Sequence, residues 1–366
     1  MLIIAYDAGA KNVQFSLKTK KGPELLLVQN LMWQQYLYQD STSNHPYFVY
    51  TPAAYRVGTA VPLLVMLHGC TQTAAEFATG TRMNQLAEQY GFIVVYPEQT
   101  RTSNRTLCWN WFKSSNQFRG RGEPAMIAQI VQAVRENTSQ WTIDDSRIYV
   151  AGASAGGVMA VILGATYPDI FAAIGVHSGA EYRAVTNILG GFKVMRSGGP
   201  DPIKQGKEAY DAMGGFKRVV PTIVFHGTHD RIAALANGDQ VVQQWMQTNR
   251  LASHGLYDAN FKNPTTTTSG QVPGGRSYTV YTWKDNKGNE IQKYWKIHGL
   301  GHAWSGGNPS VRYTDPQGPN ASEAMYRFFM KHQIGEARRN EASLGLRNIR
   351  RVLANPLRLL KLRRGE

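Results

Sequence analysis

The chain has 366 residues, 42% hydrophobic and 18% charged, with a formal net charge of +15, enough apolar content to bury a full core and a length that fits one α/β domain of about 290 residues plus terminal extensions. No apolar run approaches the ~20 residues needed to span a bilayer. The positive charge follows no nucleic-acid recognition motif, so no specific nucleic-acid partner is expected, nor any metal or cofactor.

The first 45 residues carry alternating runs such as Val13-Gln-Phe-Ser-Leu, the period of a small hairpin or an N-terminal cover. Met1–Asp7 has no basic start, a short apolar stretch and no small-residue cleavage site after it, so no leader is visible. Over residues 46–335 strand-like and helical runs alternate. Strands are expected at Tyr47–Tyr50, Leu63–Leu67, Ile93–Tyr96, Ile148–Ala151, Ala172–Val176, Thr222–Phe225 and Lys293–Ile297, with helices at Met83–Tyr90, Pro124–Asn137 and Gly238–Asn249. That alternation predicts an α/β fold with a mainly parallel sheet and helices on both faces.

The chemistry sits just past strand ends. Leu63–Leu67 runs into His68-Gly69-Cys70, where a backbone amide is placed to form one half of an oxyanion hole; the amide of Ala155 is the other half. Cys70 and Cys108 are the only cysteines, and a bridge between them or two buried free thiols are both open at this level. Trp109 and Trp111 alternate along the segment after Cys108, and with Trp304 they could wall an apolar groove or serve as packing residues.

Arg147–Gly157 is an apolar strand driving into Gly-x-Ser-x-Gly and then a small-residue helix. Such a turn pushes a serine hydroxyl out at the edge of a sheet, with Gly152 and Gly156 avoiding collision with neighbouring backbone. Ser154 is therefore the candidate nucleophile. A serine needs a histidine base and an orienting carboxylate, and in this arrangement they follow in the order Ser, Asp, His. Asp230 lies beyond the strand Thr222–Phe225; Asp201, Asp211 and Asp239 compete, but none directly follows a strand. His302 lies in the loop after Lys293–Ile297 and is preferred to His298, because Gly299 and Gly301 let the chain turn, whereas His177 and His226 read as interior histidines.

Two segments stand apart. Asn263–Gly275 is loop by composition, either an excursion or a flap over the site. Ala337–Glu366 has nine Arg or Lys against two Glu, with Leu346, Ile349 and Leu353 on one helical face. The expected division is thus an N-terminal extension (1–45), a catalytic domain (46–335) and a basic amphipathic tail (336–366), which is either solvated or docked on an anionic lipid surface or a lipid-coated particle.

His68-Gly-Cys-Thr-Gln, Tyr96-Pro-Glu-Gln, Cys108-Trp-Asn-Trp-Phe, Gly152-Ala-Ser-Ala-Gly-Gly and Gly301-His-Ala-Trp-Ser-Gly-Gly occur in this order. Together they resemble the poly(3-hydroxybutyrate) depolymerase family of esterases, relatives of feruloyl and acetylxylan esterases. The resemblance runs from about Tyr47 to Gln333 and implies an α/β-hydrolase fold. It implies Ser154, Asp230 and His302 as a triad, the amides of Cys70 and Ala155 as the oxyanion hole, a Cys70–Cys108 bridge, and Trp109, Trp111 and Trp304 near the substrate. The implied activity is serine-dependent hydrolysis of polyhydroxybutyrate or its oligomers; a feruloyl or acetylxylan esterase is the alternative, and a particle- or membrane-surface binding protein is the non-enzymatic one. An extracellular location is implied, with the cytoplasm as the alternative because no leader is visible.

Overall fold

Val61–Leu67 is buried at every position, and so are Ile93–Pro97, Ala173–His177 and Thr222–Gly227. Continuous apolar runs of this kind form strands only where both sheet faces are covered. In the computed structural model, which describes residues 32–39 and 44–335 together with the strand residues 3–4 and 15–16, those four runs occupy the middle of a ten-stranded sheet. The basic tail and its proposed lipid surface lie outside the described residues.

In chain order the strands are β1 (Ile3–Ile4), β2 (Phe15–Ser16), β3 (Trp33–Gln39), β4 (Asn44–Tyr50), β5 (Val61–Leu67), β6 (Ile93–Pro97), β7 (Ile143–Ala153), β8 (Ala173–His177), β9 (Thr222–Gly227), β10 (Thr266–Gln271), β11 (Ser277–Lys284), β12 (Glu290–Ile297), β13 (Trp304–Ser305) and β14 (Thr314–Asp315). Among the described residues the α-helices are α1 (Ala74–Thr81), α2 (Met83–Tyr90), α3 (Gly122–Glu136), α4 (Ala155–Thr166), α5 (Ile188–Ser197), α6 (Pro202–Ala212), α7 (Leu235–Ala252) and α8 (Ala321–Phe329). The main sheet runs β10-β11-β12-β9-β8-β7-β5-β6-β4-β3. From β12 to β6 neighbouring strands are parallel; β10, β11, β4 and β3 pair antiparallel at the two edges.

Side chains from α3, α4 and α7 fill one face through Ile127, Val131, Val158 and Trp245. Those from α1, α2 and α8 fill the other through Phe77, Leu86, Met325 and Phe328. All twelve residues of α4 are buried, which explains the choice of Gly, Ala, Val, Ile and Leu there. The expected parallel sheet with helices on both faces is what forms.

Two expectations change at the edges. Trp33–Gln39 extends the main sheet by pairing with β4 across residue 45, so the sheet begins earlier in the chain than the expected domain does. Asn263–Gly275 is neither an excursion nor a flap: Thr266–Gln271 is an edge strand paired with β11, two strands outside β12. Its threonines are β-branched and suit an exposed edge, a preference that polar composition hides.

Glu181 is buried, and neither of its oxygens has a hydrogen-bond partner among the described residues. Burial, with Asp201 nearby, pushes its carboxyl up to about 8 from 4.5. The folded protein therefore holds a proton that the unfolded chain releases, and stability falls as pH rises between those values. Glu181→Gln is expected to flatten this dependence, raising the unfolding temperature more at pH 8 than at pH 5, with a stability gain at pH 8 on the order of a few kcal/mol. Thermal melts across that range check it, and an equal effect at both pH values contradicts it.

Candidate active site

Three loops at the carboxyl ends of β5, β7 and β9, with a fourth after β12, converge on one edge of the sheet. At the β7–α4 junction Ser154 has φ 55° and ψ −122°, a strained conformation for a residue with a side chain. The strain is imposed by close packing. A Cβ on Gly156 would lie 2.1 Å from Leu67 O, and one on Gly152 would lie 2.4 Å from the Gly156 backbone, so β5, β7 and α4 touch backbone to backbone. The Ser154 amide donates to His177 O at 2.9 Å, which fixes the turn.

Asp230 follows β9. Its Oδ1 accepts from the Ile232 and Ala233 amides at 3.0 and 2.8 Å, and its Oδ2 accepts from His302 Nδ1 at 2.8 Å. Burial alone would raise this carboxyl, yet the hydrogen bond and charge of His302, with His226 and the Ala233 amide, hold it below the usual carboxylate range. An ionised Asp230 on Nδ1 leaves Nε2 of His302 as the nitrogen free to exchange a proton. The close fit continues behind it, since a Cβ on Gly227 would meet Leu300 O at 2.2 Å.

The rival residues are otherwise engaged. His298 is exposed, with its Nε2 on Thr279 Oγ1 at 3.0 Å. His226 is interior, with Nε2 on Ala233 O at 2.8 Å, and His177 is interior as expected. Asp201 caps α6, Asp211 pairs with Lys207, and Asp239 pairs with Lys296. Of Gly299 and Gly301, only Gly299 adopts a left-handed conformation, at φ 75°.

Ser154 and His302 open on one cavity of about 310 Å³, whose wall also includes Cys70, Phe77, Ile232 and Trp304. Beside Ser154 runs the loop after β5: a Cβ on Gly69 would lie 3.5 Å from Ser154 Cβ. The Gly69 amide donates to Gln72 Oε1 at 3.0 Å and the Thr71 amide to Thr106 O at 2.7 Å. Between these two fixed amides sits that of Cys70, which donates to no protein acceptor among the described residues. The Ala155 amide belongs to the first turn of α4, where donors have no partner within the helix.

Cys70 and Cys108 form a disulfide, resolving the alternative of free thiols. Below it, the buried His68 ring accepts from the Gln99 amide through Nε2 at 3.0 Å and donates from Nδ1 to Gly69 O at 2.8 Å. Burial lowers its pKa to about 4, so the ring stays neutral and retains that acceptor.

Trp109 and Trp111 do not wall the cavity. Trp109 is fully buried under the loop, donating from Nε1 to His68 O at 3.1 Å, and Trp111 packs in the core against Phe112. Alternation along an extended segment does not reveal which side faces solvent, so the sequence leaves groove and packing both open, and the structure places these two in packing. Trp304 does reach the cavity wall, largely buried between His177 and Phe77. The sequence reading also missed Glu123, which is buried and accepts from the Asn110 amide, Asn110 Nδ2 and Gln99 Nε2 at 2.7, 2.6 and 2.6 Å. Gln72 and Gln99 end the His68-Gly-Cys-Thr-Gln and Tyr96-Pro-Glu-Gln motifs, whereas Glu123 belongs to none of the five motifs.

The bridge closes a separation of 38 residues, which in the chain-entropy picture is worth roughly 4 kcal/mol. Reduction, or Cys108→Ser, is expected to lower the unfolding temperature by on the order of 10 °C and to lower kcat as the loop loosens. Calorimetry with and without a phosphine reductant checks this; an unchanged transition contradicts it.

Residues 45–262 match a protein family described as Esterase PHB depolymerase. The chain is 37% identical over 244 residues to a poly(3-hydroxyalkanoate) depolymerase C of Paucimonas lemoignei, covering 66% of this chain and 54% of that protein. It is 29% identical to a poly(3-hydroxybutyrate) depolymerase of Ralstonia pickettii, covering 74% and 54%, and 28% identical to acetylxylan esterase A of Talaromyces purpureogenus, covering 68% and 62%. The chain thus spans about half the length of the two depolymerases it matches. Among solved structures, an acetyl xylan esterase from Aspergillus awamori superposes with a TM-score of 0.63 at 21% identity, covering 82% of this chain and 99% of that one. The fold is that of an α/β-hydrolase.

Proposed function

We propose that this chain, which belongs to the Esterase PHB depolymerase family, hydrolyses carboxylic esters through an acyl-enzyme on Ser154, with polyhydroxybutyrate or its oligomers as the preferred substrate. The observation that carries the reading is the single cavity onto which Ser154 and His302 both open, with the His302 ring held by Asp230 at 2.8 Å.

In this reading His302 Nε2 takes the proton from Ser154 Oγ as the oxygen attacks the ester carbonyl. Negative charge on the tetrahedral oxygen is met by the amides of Cys70 and Ala155. The C–O bond then breaks, the alcohol leaves with the proton held by His302, and the acyl group remains on Ser154. A water, deprotonated by His302, releases the acid and restores the serine. Asp230 stays ionised throughout and stabilises the imidazolium.

The apolar wall of Phe77, Phe192, Ile232 and Trp304 favours a neutral, mainly hydrocarbon acyl group. The higher identity to the Paucimonas depolymerase supports polyhydroxyalkanoate over the carbohydrate ester that the acetylxylan esterase suggests. The disulfide supports an oxidising compartment, such as the exterior of the cell. Adsorption of the basic segment 336–366 to polyester particles or anionic lipid rests on sequence alone, and co-sedimentation with and without that segment tests it.

A panel of hydroxybutyrate oligomers, p-nitrophenyl butyrate, methyl ferulate and acetylated xylan tests the substrate. The highest kcat/KM is expected on hydroxybutyrate oligomers. A higher value on methyl ferulate or acetylated xylan would assign the chain to the carbohydrate esters, and turnover of none of the four would overturn the esterase reading.

A further inference from the structure

We propose that His177 is a positioning residue that locks the nucleophile turn to the loop carrying the base, an inference that rests on the roles given above to Ser154 and His302. Two contacts from this one residue reach both loops. Its backbone carbonyl accepts from the Ser154 amide at 2.9 Å, and its ring Nε2 accepts from the Ser305 amide at 3.2 Å. Ser305 lies three residues beyond His302 and directly follows Trp304.

The ring is fixed from all sides. It stacks on Trp304 with centroids 5.1 Å apart and on Phe225 at 5.8 Å. With Nε2 accepting, Nδ1 carries the hydrogen and points it at Ser178 Oγ, 3.2 Å away. Ser178 has φ 51° and its amide donates to Phe225 O at 2.9 Å, so the backbone beside His177 is itself held in an unusual conformation. On the loop side, Ser305 is fully buried and its hydroxyl donates to Pro319 O at 2.7 Å.

An amide buried as deeply as that of Ser305 needs an acceptor, and the ring supplies it only while neutral. Burial, with His226 and His302 opposing positive charge more than Asp230 favours it, pushes the His177 pKa down to about 3. Both ring nitrogens are engaged, so His177 does not compete with His302 for the serine proton. Its effect on the reaction passes through the placement of two other side chains.

Three substitutions separate this role from simple packing. His177→Phe keeps the stacked ring and removes the acceptor. His177→Asn keeps a polar side chain that falls one methylene short of Ser305, and His177→Gln carries an amide oxygen to about the position of Nε2. With active sites counted by fluorophosphonate titration, Phe and Asn are expected to lower kcat between about tenfold and a hundredfold, the effect of misplacing a reacting group by ~1 Å, with KM within about twofold. Gln is expected to recover most of that loss. Wild-type kcat per active site in Phe or Asn, even with a lower melting temperature, overturns the proposal, and so does a folded Gln variant no better than Asn. If Phe does not fold, the comparison of Asn with Gln decides alone. Full turnover in Ser154→Ala would instead overturn the catalytic reading, whatever the His177 series gives.

Discussion

Ser154→Ala is expected to lower kcat/KM for a soluble ester by at least ~10⁴-fold without lowering the unfolding temperature. Alanine fits the same turn: it removes only the hydroxyl, and the bond from amide 154 to His177 O is unaffected. The strained φ of 55° is unchanged, so no packing is lost that could mimic a chemical effect. His302→Ala is expected to lose activity to a similar degree, because among the described residues no other histidine bonded to Asp230 lines the cavity, whereas exposed His298→Ala is expected to stay near wild type. Combining Ser154→Ala with His302→Ala should cost little more than either alone, since the groups act as a unit. Steady-state kinetics on p-nitrophenyl butyrate check all four. Normal rates in His302→Ala alongside loss in His298→Ala would reverse the choice of base.

Gly156→Ala is expected to abolish folding. Its Cβ would sit 2.1 Å from Leu67 O and 2.6 Å from His68 O, closer than side-chain carbons approach oxygen. Both oxygens belong to backbone at the end of β5, a strand paired on both sides by β6 and β7, so relief requires prying the sheet centre away from α4. A loss above ~5 kcal/mol approaches the entire stability of a typical domain. Gly215→Ala is the control: among the described residues nothing lies within 4 Å of its Cβ, and it should be silent. Soluble yield and circular dichroism report the outcome, and a folded Gly156→Ala protein with ordinary stability would show that the contact is not tight.

The strands at the sheet centre and the elbow were legible because each is local: a buried parallel strand is a continuous apolar run, and Gly-x-Ser-x-Gly follows one directly. The placement of Asp230 beside His302 was legible because parallel strands carry their following loops to one edge. Thr266–Gln271 was not, since its exposed threonines resemble a loop until β11 supplies the pairing. The contacts of Glu123 and His177 were invisible for a different reason. Each acts on amides far away in sequence, Glu123 on Asn110 and His177 on both Ser154 and Ser305, and nothing in the residues beside them signals those partners. The same holds for Trp109, whose indole N–H finds His68 O only after the loop has folded over it.

Treatment with a fluorophosphonate ester, followed by digestion and mass spectrometry, tests the nucleophile directly. A single adduct on Ser154 is expected, formed in step with loss of esterase activity and absent from Ser154→Ala. Inactivation with the adduct on another residue, or full ester turnover by protein that carries the adduct on Ser154, would contradict an acyl-enzyme at this position.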